Sequence, residues 1–170
     1  MSKVYGLISG YTPVRTERNR TVVSYDKQAE PDGKHATWHE LYFYHKIEGK
    51  PDIARIKEAV TADINSRTTE RILSSLTWNG KPVWLSKEHQ MDWKMTYDRA
   101  LQTEGENLPQ KLKLGEAEDG TPVYHTFTTV KAFGDFTDAW QQHIMQCLAD
   151  GWEKKDGMDW APYEPVPAEG

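Results

Sequence analysis

Six histidines, one cysteine and a scatter of carboxylates are the side chains of this chain that could bind a metal or move a proton. His35, His39 and His45 lie close together in sequence. In an extended strand His39 and His45 share a face but stand about 20 Å apart, at about 3.3 Å per residue, too far to share an ion. Glu88-His89 lacks the second histidine four residues on that a zinc-protease helix requires. Glu116, Glu118 and Asp119 crowd one hairpin turn without the ligand spacing of a calcium loop. There is no Gly-x-Ser-x-Gly elbow, no phosphate-cradling glycine loop and no dinucleotide fingerprint. An acid–base site could be built only if folding gathered several of Glu40, His45, Asp92, His125 and His143 into one pocket. Cys147 falls between Ile144 and Leu148 on an apolar helical stripe, the setting of an inert core thiol. The expectation is a protein that is not an enzyme, with no catalytic residue, no metal and no cofactor.

Contact chemistry is better represented. The chain has 170 residues, 37% hydrophobic and 28% charged, yet carries seven Trp, eight Tyr and four Phe. Its burial therefore rests on a few large rings. Trp38, Tyr42, Tyr44, Trp84, Trp160 and Tyr163 are aromatics that a single core does not obviously need, and they are the candidate partner-binding residues. The formal charge of -5 is unevenly spread: residues 1–50 and 51–115 are near neutral, and residues 116–170 are strongly acidic. That distribution disfavours nucleic acid, whose binding needs clustered Lys and Arg. The one local exception, Arg15-Thr16-Glu17-Arg18-Asn19-Arg20, reads as a solvated loop between strands. No apolar run is long enough to insert into a membrane, and a single cysteine allows no internal disulfide.

The elements that would position these residues follow from the pattern. Val4 to Ile8, Thr21 to Tyr25 and Thr37 to Ile47 read as strands separated by turn residues. A helix over about 52–73 follows, with Asp63 and Arg67 paired on its polar side. Trp78-Asn79-Gly80-Lys81 predicts a type I′ hairpin pairing Leu76 with Val83 and Trp78 with Lys81. Ser86 caps a helix carrying Trp93, Tyr97, Ala100 and Leu101. A second hairpin turning at Asp119-Gly120 would pair Leu112 with Phe127 and Leu114 with His125. The last helix, about Val130 to Asp150, repeats Phe133, Phe136, Trp140, Ile144 and Cys147, with Gly151 as its left-handed cap. The class is α+β: N-terminal antiparallel strands (1–50), a helix, hairpin, helix, hairpin, helix unit (51–157) and an extended, acidic, Pro-containing tail (158–170).

Several of these motifs occur together. Arg71-Ile72-Leu73, Leu76-Thr77-Trp78-Asn79-Gly80 with Val83-Trp84-Leu85-Ser86, Asp119-Gly120-Thr121-Pro122-Val123-Tyr124, and the Phe133/Phe136/Trp140 helix ending in Lys154-Lys155 form one succession. Over roughly residues 66–157 it resembles a domain of unknown function found in tailed-phage and prophage proteins. That domain is met near the C-terminus of tail-associated proteins, including tail-fibre and tail-fibre-assembly ones. Trp78, Asn79, Gly80, Asp119 and Gly120 carry the structural signature. The resemblance implies a virion structural or assembly protein whose partners are other tail, fibre or baseplate proteins, formed in the host bacterial cytoplasm or retained in the virion tail. It brings no catalytic residues. Self-association through exposed aromatic surface is expected, and a glycan-binding module of a host-adhesion apparatus, using exposed Trp and Tyr, is the alternative.

Overall fold

A computed structural model describes residues 2–164. The class is α+β, and the chain divides into two compact units, Met1–Asn65 with Glu153–Gly170, and Ser66–Trp152. The division falls within two long helices, whereas the sequence reading draws its boundaries at residues 50 and 157.

The first unit is built on a four-stranded antiparallel sheet of β1 (Ser2–Leu7), β2 (Val14–Thr16), β3 (Arg20–Ala29) and β4 (His35–Tyr44), in the order β1-β4-β3-β2. Opposed residues share a face. Thr21, Val23 and Tyr25 of β3 therefore lie with Phe43, Leu41 and His39 of β4, and Val22 and Ser24 lie with Tyr42 and Glu40 on the other side. The first of these faces receives the N-terminal half of the helix Ile53–Ser74, which brings Ile56, Val60 and Ile64 onto Val23, Tyr25 and Phe43. Asp63 goes with them. It is buried and accepts a hydrogen bond from the Tyr25 hydroxyl, so its expected place on the exposed side of the helix is corrected.

β4 stops at Tyr44, earlier than the expected strand from Thr37 to Ile47. β3 begins at Arg20, opposite Tyr44, and the chain beyond Tyr44 makes one further bond across, from the His45 N–H to the Asn19 carbonyl at 2.9 Å, before it turns away. It winds instead into a short helix α1 (His45–Glu48), ended by Gly49 at φ 71°, and Ile47 is left in solvent. The helix Ile53–Ser74 is α2.

The second unit holds the C-terminal part of α2, a hairpin of β5 (Leu76–Trp78) and β6 (Lys81–Val83), α3 (Lys87–Gln102), a hairpin of β7 (Gln110–Glu116) and β8 (Pro122–Phe127), and most of α4 (Val130–Asp156). The first hairpin has the expected register, with Asn79 and Gly80 at φ 50° and 72°. Asparagine tolerates that left-handed conformation and alanine does not. Asn79→Ala is therefore expected to cost about 1 kcal/mol, read as a lowered urea midpoint with an unchanged slope. Val83, Leu85, Trp93, Leu114, Phe127, Phe133, Phe136 and Trp140 form the core. Cys147 is buried on the inner side of α4 as well.

Two expectations in this unit are corrected. The second hairpin pairs Gln110 with Phe127 and Leu112 with His125, two residues away from the anticipated register. Only Gly120 has positive φ at the turn, and Asp119 instead accepts the Thr121 N–H at 2.9 Å, which makes the loop one residue longer than a type I′ turn. A bulge between Lys113 and Gly115 supplies the remaining shift. Gly151, in turn, does not cap α4, which continues to Asp156. Its missing side chain answers a close approach: a Cβ there would stand 2.5 Å from Thr68 Oγ1 of α2. Among the described residues no helix is long and apolar enough to cross a membrane.

Candidate interaction site

β6 and the residues after it alternate sharply. Val83 and Leu85 are buried in the core, while Trp84 between them is 45% exposed. Its backbone is held from both sides. The Trp84 N–H donates to the Leu114 carbonyl at 2.7 Å, and His89 Nδ1 donates to the Trp84 carbonyl at 2.9 Å. The next residue is fixed too, its N–H bound to the Leu73 carbonyl at 2.9 Å, and Ser86 Oγ accepts the His89 N–H at the start of α3. An outward indole on so constrained a backbone loses little conformational entropy when it is covered.

Two hollows share this indole. One, of about 350 Å³, is lined by Ser74, Pro82, His89, Lys113 and Glu116, with Lys113 and Glu116 paired at 2.6 Å. The other lies against Ser66, Thr69, Glu70 and Leu73 of α2. Both end on Ser74. The Lys113 ammonium holds the Glu116 carboxyl below its usual range. The surroundings of Trp84 are thus an aromatic face edged by hydroxyls, one ion pair and an imidazole.

In the first unit Tyr44 is 44% exposed and, with Tyr42, borders a groove closed by Arg55, Glu58, Ala59 and Ala62 of α2. The remaining aromatic candidates are not free surface. Trp38 is buried: its indole lies across Gly6, meets the ring of Tyr11 edge-on at 5.8 Å and donates to Glu40 Oε1 at 3.1 Å. Tyr163 is also buried. It packs with Val23, Tyr25 and Phe43 and donates to the Ser24 carbonyl at 2.9 Å. Trp160 is half-buried at the margin of the same cluster, with the Lys57 ammonium 5.6 Å above its ring. The extended tail is corrected accordingly, since Ala161–Tyr163 form a 3-10 turn seated on the sheet; residues 165–170 lie outside the described part.

No family model, curated protein or solved structure matches the chain.

The residues from which an acid–base site would be drawn have other occupations. Glu40, only 5% exposed, receives Arg15 through both nitrogens, at 2.8 and 3.2 Å, and hydrogen bonds from Trp38 and from Tyr42 at 2.8 Å. The Arg15 guanidinium above all holds its carboxyl down to about 2. Arg15, expected in a solvated loop, is thus the partner of a buried charge, and nothing in its sequence context shows it, because the two stand on β2 and β4. His45 shares a hydrogen bond with Thr21 Oγ1 at 2.9 Å, and Asp92 is exposed on α3. His125 meets Trp78 edge-on at 4.9 Å, and burial, with the neighbouring Lys81, lowers its pKa. His143 Nε2 lies 3.2 Å from the Arg71 carbonyl and 3.7 Å from the Cys147 thiol, whose pKa burial pushes up. Among the described residues no group of three or more His, Cys, Asp or Glu is placed to hold a metal ion.

The five signature residues are structural. Asn79 and Gly80 make the first turn, Asp119 and Gly120 the second, and Trp78 packs edge-on against Phe136 at 5.0 Å.

Proposed function

We propose that the chain is a non-enzymatic structural or assembly protein of a tailed phage or prophage, working at the tail or tail fibre through protein–protein contacts. It would act where tails are assembled, in the host bacterial cytoplasm, with tail, fibre or baseplate proteins as partners. The observation that carries this reading is Trp84, an exposed indole on a hydrogen-bonded backbone inside the segment that resembles the phage domain. Interface hot spots are of this kind, an aromatic anchor on a rigid frame.

The test is co-purification with the tail, fibre and baseplate proteins encoded beside it. A complex is expected, and Trp84→Ala is expected to weaken it at least about tenfold while leaving the melting temperature almost unchanged, because the side chain contributes little to the core. A chain that binds none of those proteins overturns the reading.

The paired hollows favour a second reading. Hydroxyls and carboxylates on both sides of an open indole also suit a sugar ring, stacked on its flat face and hydrogen-bonded at its rim. Titration of tryptophan emission with the host's surface polysaccharide then gives a saturating shift that Trp84→Ala abolishes, and a flat titration removes it.

A further inference from the structure

We infer that the outer edge of β1 joins two copies of this chain, strand to strand and antiparallel, about Tyr5. β1 ends the sheet, and its register with β4 runs without a shift from Ser2↔Glu40 to Leu7↔His35. The Ile8 N–H continues the ladder to the Lys34 carbonyl at 2.9 Å. Hydrogen-bonded pairs alternate along an antiparallel ladder. Val4, Gly6 and Ile8 therefore turn their peptide groups toward β4, and Lys3, Tyr5 and Leu7 turn theirs outward. The side chains of these three share one face, where Tyr5 is 63% and Leu7 55% exposed, with the Tyr5 ring stacked on His35 at 5.2 Å.

Proteins usually blunt such an edge, and this sheet blunts only one of its two. β2, at the far side, has three residues, with Arg15 at its centre tied to Glu17 and Glu40, and Arg18 follows. β1 is twice as long, has no proline and no bulge, and bears a single charge, Lys3.

The edge is complementary to itself. With Tyr5 opposite Tyr5 of a second copy, Lys3 falls opposite Leu7 and Leu7 opposite Lys3, so every outward peptide group of the three residues meets a partner. Each pair exchanges two main-chain hydrogen bonds. On the other face Val4 falls opposite Gly6, across which the Trp38 indole of the same copy lies. The two Lys3 ammonium groups lie at opposite ends of the pairing, and no carboxylate of the acidic chain stands on the strand. A single extended peptide from another protein would satisfy the same backbone groups but not this symmetry, and the test separates the two.

The experiment uses the purified full chain alone, so its outcome is independent of any tail partner. Sedimentation from low to high micromolar concentration is expected to show the mass double. Leu7→Pro removes an outward N–H from two of the three pairs; Leu7 already has φ -64°, the value proline imposes, and its N–H is not used toward β4. The variant is expected to dimerise at least tenfold more weakly with unchanged circular dichroism. Register is read by cross-linking. Tyr5→Cys is expected to form a disulfide-linked dimer on mild oxidation, and Lys3→Cys is not, since it faces Leu7; the native Cys147 is buried. A wild-type chain monomeric throughout, an unweakened Leu7→Pro dimer, or equal cross-linking at both positions overturns the inference.

Discussion

Gly115→Val is expected to destabilise the Ser66–Trp152 unit by about 3 kcal/mol. A Cβ at this position would stand 2.9 Å from the Pro82 carbonyl oxygen and 3.2 Å from the Trp84 nitrogen. Both are backbone atoms, so no side chain can rotate away, and one hairpin must move off the other. The hydrogen bond from the Trp84 N–H to the Leu114 carbonyl is the first interaction to suffer. Loss of stability should therefore come with greater mobility of the indole, read as weaker anisotropy of tryptophan emission before the unfolding transition. Gly10→Ala is the control: nothing lies within 4 Å of a Cβ there, and the urea midpoint should stay where it is. A Gly115→Val protein with the wild-type midpoint would mean that the two hairpins are not in contact as described.

Arg15→Met is expected to cost about 2 kcal/mol. Methionine keeps the length of the side chain and deletes the guanidinium, leaving the buried Glu40 carboxylate with only Trp38 and Tyr42 as donors. Breaking one half of a buried pair is more harmful than replacing both halves, and the Arg15 side chain, itself 37% exposed, keeps the cost below the upper end of that range. The double variant Arg15→Met, Glu40→Met should therefore recover part of the loss. Acid gives a second readout. Glu40 is depressed from 4.5 in an ordinary carboxyl to about 2 in the fold. Its contribution is thus complete above pH 4.5 and disappears as pH falls toward about 2. Between those values the stability gap between the wild type and Arg15→Met should close. A gap independent of pH would mean that the guanidinium does not set the Glu40 charge.

The two hairpins show what local sequence can and cannot specify. Asn79-Gly80 demands positive φ at both positions, and nothing distant opposes it, so turn and register follow from four residues. Asp119-Gly120 carries nearly the same signal. Its strand, however, must bring the Leu114 carbonyl to Trp84 and pass Gly115 against Pro82, and the bulge that allows this is imposed by residues far away in sequence. Gly151 was legible as a glycine required by geometry but not as a helix crossing, because Thr68 is remote. Of the aromatic candidates, Trp84 was legible since Val83 and Leu85 flank it with an unmistakable alternation. Trp38 and Tyr163 were not. The first is covered by Tyr11 from a loop, and the second fits into a cluster prepared by β3 and α2, neither of which leaves a period in its own neighbourhood.

Tyr163 also fixes an order of events. A ribosome delivers β1 to β4 before the Ser66–Trp152 unit, yet the face of β3 that holds Val23 and Tyr25 is completed only by Met158, Trp160 and Tyr163, which follow that unit. The Ser66–Trp152 unit, continuous in sequence, has its whole core in hand earlier. The sheet unit, begun before the Ser66–Trp152 unit, is therefore finished after it, and a nascent chain stopped short of Tyr163 carries a folded Ser66–Trp152 unit while its sheet still lacks part of its cover.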